Sequence, residues 1–123
     1  MRILNKKTLV IGASTNPARY SYMAVHLLRE YGHDVVALAK RPGRLGDVEI
    51  QTSFPENERI HTVALYIGPS KQQEYTELVT RLSPKRVIFN PGTENTEFYE
   101  KLQSAGIEIV EGCTLVMLRT DQF

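Results

Sequence analysis

The fold is decided by the stretch LVIGASTNPARYS, residues 9–21. Its apolar beginning predicts a strand over Thr8–Ile11, and the small residues that follow predict a turn. A helix is then predicted from Pro17 to Tyr31, with Gly32 as its C-cap, because one helical face collects the apolar residues Tyr20, Ala24, Leu27, Leu28 and Tyr31. The stretch therefore joins a strand to a helix, as the first half of a βαβ unit does.

The turn of this stretch has the chemistry of a phosphate-binding site. Gly12 and Ala13 let a ligand approach the backbone, and the helix offers unpaired N–H groups at the positive end of its dipole. Hydroxyl and guanidinium donors come from Ser14, Ser21 and Arg19. The alternative is an ordinary capped turn with Pro17 in the first helical turn, which does not need Arg19 and Ser21 together. The stretch alone leaves both interpretations open.

Strands and helices alternate along the rest of the chain. Further strands are predicted at Val35–Ala39, Val48–Gln51 (as a short edge strand), Thr62–Ile67, Arg86–Phe89 and Ile107–Val110. Helices are predicted after Ser70, which can cap the first of them, and around Phe98 to Ala105. The run Thr114–Leu118 indicates a helical turn packed on the sheet or a partner surface. This alternation predicts an α/β fold with a mostly parallel sheet of about five to six strands.

The composition excludes several classes of function. The chain has 123 residues, enough for a single domain over residues 1–123, and its formal net charge of +1 gives no general attraction to nucleic acid or to an anionic membrane. Its apolar runs are too short to cross a bilayer, and no signal peptide opens it. Cys113 is the only cysteine, so no intramolecular disulfide can form. We expect a cytoplasmic protein.

Five turns follow predicted strands and are rich in small or polar residues. They are Gly12–Ser14, Lys40–Pro42, Gly68–Ser70, Asn90–Gly92 and Gly112-Cys113. In parallel α/β sheets, ligands bind outside the carboxyl ends of the strands, where the strand order reverses. We therefore expect one pocket that collects these turns.

The end of the second strand indicates which ligand the pocket takes. NAD sites place a carboxylate there to bind the ribose hydroxyls, whereas this chain has Lys40 and Arg41 after Ala39. Two cations suit a ribose that carries its own phosphate, as in NADP at the 2′ position and in coenzyme A at the 3′ position. A solvated basic loop is the alternative, and only Gly12 of the pattern G-x-G-x-x-G is present.

Several segments carry a resemblance to a known family. They are the opening turn with Pro17, Arg19 and Ser21, the segments Gly32–Val36 and Leu45-Gly46, and the segments Phe89–Asn95 and Gly106–Thr114. In these segments, which extend over nearly the whole chain, it resembles small standalone CoA-binding proteins. Their fold is similar to the CoA-binding domain of the succinyl-CoA synthetase α subunit. The resemblance implies a Rossmann-like three-layer sandwich, with coenzyme A or an acyl-CoA as ligand.

The resemblance also implies a set of binding residues. By analogy with the family, the turn after the first strand binds the phosphates, and the turn after the second strand lies beside the adenosine. The turn after the strand Thr62–Ile67 faces the adenine side, and the turn after the strand Arg86–Phe89 lies toward the pantetheine arm. The implied residues are, in that order, Gly12, Ala13, Ser14, Arg19 and Ser21; Lys40, Arg41 and Pro42; Ile67, Gly68 and Pro69; and Asn90, Pro91 and Gly92.

Two turns depart from the family's pattern. Many members end the second strand with Asn-Pro, where this chain has Ala39-Lys40 and a displaced Pro42. Many also place Gln after the aromatic residue of the fourth turn, where this chain has Asn90-Pro91 after Phe89.

The sequence contains no convincing catalytic set. His26, His33 and His61 share no metal-ligand spacing. Cys113 is more typical of a buried packing residue than of a group that pairs with a CoA thiol. We therefore predict a CoA-binding module without catalysis of its own. Two alternatives remain open: an NADP-binding oxidoreductase or regulator, and a non-catalytic interaction protein with a vestigial nucleotide pocket, whose run Leu115–Leu118 buries a homodimer interface.

Overall fold

The computed structural model describes residues 4–123, which form seven strands and four α-helices. The strands are β1 (Thr8–Ile11), β2 (Val35–Leu38), β3 (Gly43–Leu45), β4 (Val48–Gln51), β5 (Thr62–Leu65), β6 (Arg86–Phe89) and β7 (Glu108–Glu111). The helices are α1 (Tyr20–Glu30), α2 (Gln73–Leu82), α3 (Thr96–Ser104) and α4 (Thr114–Arg119). A short 3-10 helix (Pro69–Lys71) precedes α2.

All seven strands belong to one sheet, in the order β3-β4-β2-β1-β5-β6-β7. Only the pairing of β3 with β4 is antiparallel within this sheet. From β1 the chain first builds outward through β2 and then crosses back to place β5 on the other side of β1. The strand order therefore reverses at β1, which is where α/β sheets of this kind bind ligands.

Helices cover both faces of the sheet and produce three layers. On one face α2 and α3 close a cluster that includes Leu9, Ile11, Val79, Phe89 and Phe98. On the other face α1 and α4 close a cluster that includes Val10, Val25, Leu28, Ala64 and Leu118. Neighbouring residues of β1 thus point to opposite layers, and all four of its residues are buried, which is why its sequence is continuously apolar. The predicted Rossmann-like α/β sandwich is confirmed.

The region around β3 differs from the prediction. Val48–Gln51 is predicted to be the edge strand and no strand is predicted before it, but β3 pairs with β4 and becomes the edge strand. Gly46, at a φ of 60°, begins the two-residue loop of this hairpin. Leu45 and Val48 are buried, whereas Arg44 is exposed. The short alternating pattern of a three-residue strand gave too weak a signal to be recognised.

Two predictions about helix starts are wrong. Pro17 does not lie in the first helical turn, because α1 begins at Tyr20. Instead Pro17 is the second residue of a β-turn in which the N–H of Arg19 donates to the carbonyl of Asn16 at 3.0 Å, a position that proline favours. Ser70 does not cap α2 either, since it lies inside the 3-10 helix.

The predicted glycine ending of α1 is confirmed, and α3 ends in the same way. Gly32 has a φ of 89° after α1, and the N–H of His33 donates to the carbonyl of Leu28 at 2.9 Å. Gly106 has a φ of 74° after α3, where Ile107 donates to Leu102 in the same way. Both are Schellman endings, which favour glycine because of the positive φ.

The final run forms α4, whose Leu115 and Leu118 are buried while Val116 is 55% exposed. No helix among residues 4–123 is long and apolar enough to cross a membrane.

Candidate functional site

A cleft of about 1030 Å³ opens at the carboxyl edge of the sheet, a volume at the upper end of the range of small-molecule sites. It is bounded by the loops that follow β1, β2, β5 and β6. Its lining includes Gly12–Asn16, Ala18–Ser21, Ala39–Pro42, Ile50, Tyr66–Gly68, Lys71 and Pro91–Thr93. Four of the five predicted turns therefore meet at one site. Gly112 and Cys113, of the fifth turn, do not line this cleft.

Gly12 is required by the packing of the protein itself. Its φ is 97°, and a Cβ there would lie 2.8 Å from the Ile67 side chain and 3.1 Å from the Tyr66 backbone. The sequence suggested that Gly12 leaves space for a ligand. The structure gives a different reason, namely the close approach of the chain segments that leave β1 and β5.

The start of α1 lies open to the cleft. Arg19 is the N-cap residue, its side chain makes no capping hydrogen bond, and the first turn of α1 contains no acid. Ser21 is buried in that turn, while the Ser14 hydroxyl accepts a hydrogen bond from the N–H of Asn16 at 3.0 Å. The free N–H groups and the positive end of the helix dipole thus face the cleft, which favours an anion there.

The charge of the lining is entirely positive over the described residues. It contains Arg19, Lys40, Arg41 and Lys71, and it contains no Asp or Glu. Lys40 donates to the carboxylate of Glu74 at 2.7 Å, and this hydrogen bond raises the pKa of Lys40. Within the described residues, the other three cations form no ion pair. A ligand of high negative charge is the natural complement of such a surface.

The turn after β5 contains a glycine that the protein itself does not require. Gly68 has a φ of −68° and a ψ of 164°, which any residue adopts, and a Cβ would meet nothing within 4 Å. Gly68 lines the cleft, and the space around the position of its missing Cβ is open. Ile67 also lines the cleft, whereas the predicted Pro69 does not.

Asn90 is turned into the protein, although the resemblance placed it at the pantetheine arm. It is 2% exposed and does not line the cleft. Its amide donates to the carbonyl of Leu65 at 2.9 Å, and its oxygen accepts from the N–H and the hydroxyl of Thr114 at 2.8 and 3.0 Å. It connects the ends of β5 and β6 to α4. Its neighbours Pro91 and Gly92 do reach the cleft.

A second buried amide supports the same wall of the cleft. Gln72 is fully buried and donates to the carbonyls of Ile67 and Thr93 at 2.9 and 2.8 Å. Its own oxygen accepts from Asn95, which caps α3. These bonds hold the turns after β5 and β6 in a fixed relation, because a buried network with every partner satisfied rigidifies the loops that it joins.

Nine lining residues were not identified from the sequence: Thr15, Asn16, Ala18, Tyr20, Ala39, Ile50, Tyr66, Lys71 and Thr93. Lys71 stands in the 3-10 helix after β5, one residue beyond the predicted third turn, and this proximity is the signal that could have found it. Tyr20 lines the cleft with 69% of its surface exposed. The sequence assigned Tyr20 to the apolar face of α1, and no local pattern distinguishes an aromatic residue at the rim from one in the core.

The lining offers little for acid–base chemistry. Besides the four cations, the titratable groups that line it in the described part of the chain are Tyr20 and Tyr66. Burial raises the pKa of Tyr66 to about 12, so its hydroxyl stays protonated at neutral pH and does not act as a general base. Cys113 is half-buried at the N-cap of α4. No group of three or more His, Cys, Asp or Glu among residues 4–123 is arranged to hold a metal ion.

Fold and site together define a class: a Rossmann-like domain with a cationic cleft at the point where the strand order reverses. The chain belongs to the CoA binding domain family, whose model matches residues 6–119. This membership supports the binding of coenzyme A in general terms. A comparison with curated proteins gives no match.

Solved structures show the same fold. A crystal structure of an uncharacterised protein is 43% identical, with a TM-score of 0.94 over 98% of this chain and 99% of that one. A protein from Thermus thermophilus, cell-free ID.343, is 26% identical, with a TM-score of 0.85 over 97% and 91%. A hypothetical protein from Pyrococcus horikoshii OT3 is 27% identical, with a TM-score of 0.86 over 94% and 83%.

Proposed function

We propose that this chain is a single CoA-binding domain that holds coenzyme A or an acyl-CoA in the carboxyl-edge cleft, without catalysis of its own. The observation that carries the proposal is the lining itself, which has four cations and no carboxylate over the described residues. Coenzyme A bears a pyrophosphate and a 3′-phosphate, and such a surface complements that charge. Family membership points to the same ligand.

The open start of α1 is the proposed pyrophosphate site. Ser14, Arg19 and Ser21 surround it, and hydrogen bonds between a guanidinium and phosphate oxygens are among the strong ones. Lys40 and Arg41 line the cleft just after β2, where we place the ribose and its 3′-phosphate. Pro42 lines the cleft beside them.

The other half of the cleft is proposed to take the adenine and the pantetheine arm. Ile67 and Gly68 form a wall without charge, and the bare backbone of Gly68 leaves room for a flat or extended group. Pro91 and Gly92 continue this wall. Asn90 is proposed to position these residues from behind, as its hydrogen bonds to Leu65 and Thr114 indicate.

A titration of several ligands in parallel tests the proposal. We expect isothermal titration calorimetry to show binding of CoA and acetyl-CoA, with weaker binding of dephospho-CoA, NADP and NAD. Arg19→Ala removes a hydrogen bond to a charged group, which typically contributes about 1.5–3 kcal/mol, so CoA affinity falls at least about tenfold. The matched control is Arg119→Ala, an exposed arginine at the end of α4 that does not line the cleft.

Three outcomes would contradict the proposal. No heat with CoA at millimolar concentration would favour an interaction protein with a vestigial pocket. Preferential binding of NADP would favour the oxidoreductase or regulator. An unchanged dissociation constant for Arg19→Ala, with CoA still bound, would move the pyrophosphate away from the start of α1.

A further inference from the structure

One cation of the cleft is already paired with a carboxylate. The ammonium of Lys40 donates to Glu74 at 2.7 Å and lies 5.7 Å from the centre of the Tyr75 ring. Both partners belong to the first turn of α2, and Glu74 does not line the cleft. Arg19, Arg41 and Lys71 have no such carboxylate among the described residues.

The ion pair between Lys40 and Glu74 is weak enough for another anion to replace the carboxylate. The side chains of Lys40 and Glu74 are 73% and 53% exposed, so water and salt screen their attraction, and an exposed pair of this kind is weak. A phosphate dianion close to Lys40 is a stronger partner than one carboxylate, since its oxygens carry more charge. To reach it, the ammonium has only to leave Glu74 by rotation of its long side chain.

We propose that Glu74 determines how strongly the cleft distinguishes a ribose with a phosphate from one without. The carboxylate competes with the 3′-phosphate for Lys40, and it also repels that phosphate. Glu74 therefore lowers the affinity for CoA while leaving that for dephospho-CoA nearly unchanged. This inference rests on the proposed function of the cleft, and it assigns a specificity role to a residue outside its lining.

The experiment compares Glu74→Gln with the wild-type protein by calorimetric titration of CoA and dephospho-CoA at low salt. We expect Glu74→Gln to bind CoA about two- to fivefold more tightly, the factor that corresponds to an exposed ion pair. The affinity for dephospho-CoA stays within error. At 0.5 M salt the gain disappears because the charges are screened.

Two controls isolate the competition. Glu77→Gln removes an exposed carboxylate of the same helix that is paired with Lys101 on α3, and we expect it to change neither affinity. Lys40→Met keeps the aliphatic stem of the side chain and removes its charge. Because Glu74 is proposed to act through Lys40, adding Glu74→Gln to the Lys40→Met variant should change the CoA affinity by less than Glu74→Gln does in the wild-type protein.

The outcomes separate the inference from the function on which it rests. If wild-type protein binds neither ligand, the proposed function fails and the inference fails with it. If wild-type protein binds CoA but Glu74→Gln changes both affinities equally, changes neither, or weakens CoA, the inference alone is overturned. The same holds if the gain in CoA affinity persists undiminished in the Lys40→Met background.

Discussion

Two glycines that line the cleft differ in backbone conformation and in the space available for a side chain. Gly12 has a φ of 97° and no room for a Cβ, since the Ile67 side chain would lie 2.8 Å away. Gly68 has an ordinary φ of −68° and open space around the position of its missing Cβ. The first glycine is needed for the fold, whereas no contact within the described residues requires the second.

Gly68→Ala is expected to separate stability from binding. Alanine fits the backbone of this position and restricts the unfolded chain, so the free energy of unfolding should stay equal or rise by about 0.4–1 kcal/mol. The added methyl group projects into the cleft, so CoA affinity should fall. Urea unfolding and calorimetric titration of the same preparation measure both effects.

Gly12→Ala is the comparison for this prediction. It should lower the free energy of unfolding, because the new Cβ meets Ile67 and the backbone of Tyr66 at a positive φ. If Gly68→Ala destabilises the protein, the fold itself requires this glycine. If CoA affinity is unchanged, the bare backbone of Gly68 has no role in ligand binding.

At the scale of elements, the cleft depends on buried amides that join its loops. Asn90 makes hydrogen bonds to Leu65 and Thr114, and Gln72 connects the segments that follow β5 and β6. Most of these bonds join residues far apart in sequence, since Asn90 lies 25 residues from Leu65 and 24 from Thr114, and Gln72 lies 21 from Thr93. The loops therefore hold their relative positions only once the sheet has formed.

Asn90→Ala is expected to destabilise the fold. It leaves the carbonyl of Leu65 and the N–H of Thr114 buried without a partner, and each such group costs about 1–3 kcal/mol, so we expect a loss of about 3 kcal/mol. The measurement is urea unfolding, with Asn57→Ala, a change at an exposed turn residue, as the control. A variant of full stability that no longer binds CoA would instead restore Asn90 as a direct contact.

On the scale of the whole molecule, charge is distributed between two opposite edges of the sheet. The carboxyl edge carries the cleft, while Arg86, Lys6, His33 and His61 gather at the amino edge. Arg86 is 8% exposed, and its Nη2 has no hydrogen-bond partner within the described part of the chain. Phe123 packs against this cluster. The centre of its ring lies 4.5 Å from the guanidinium carbon of Arg86 and 4.9 Å from the centre of the His33 ring.

This cluster predicts how stability depends on pH. Burial, together with the charges of Lys6 and Arg86, lowers the pKa of His33 and of His61, while Glu108 acts in the opposite direction on His61. Below the ordinary histidine pKa of about 6.5 the unfolded chain then binds more protons than the folded one. The two histidines therefore have no destabilising effect above that pH, and the free energy of unfolding falls as the pH is lowered below it.

Thermal unfolding between pH 8 and pH 5.5 measures this effect. His33 also accepts a hydrogen bond from the N–H of Lys6 at 3.0 Å through Nδ1, which protonation removes. We expect His33→Asn to reduce the fall in melting temperature at low pH, while His26→Asn, a change at an exposed residue of α1, leaves it unchanged. An equal fall in the His33 variant would assign the pH dependence to other groups.

The predicted homodimer has less support at this scale than the sequence suggested. Leu115 and Leu118 of the apolar run pack inside the protein, and Val116 is the member of that run that is 55% exposed. The apolar character of the run is thus largely explained by the contact of α4 with the rest of the chain. The homodimer remains a prediction, which size-exclusion chromatography would test.

The sequence by itself determined the order of strands and helices, because continuous apolar runs, helical spacing and glycine endings act over a few neighbouring residues. It also determined the position of the opening turn and of the basic turn after β2. The weak signal of β3, with three residues, was the exception among the strands.

Only the tertiary structure decided which side chains reach the cleft. Lys40 forms an ion pair with Glu74, which lies 34 residues away in the sequence. Asn90 is buried, and both Lys71 and Tyr20 line the cleft. Each of these outcomes depends on where one loop meets another, and that distance is set by the packing of the sheet and its helices. Local patterns in the chain carry no information about it, since the groups that decide it are distant in sequence.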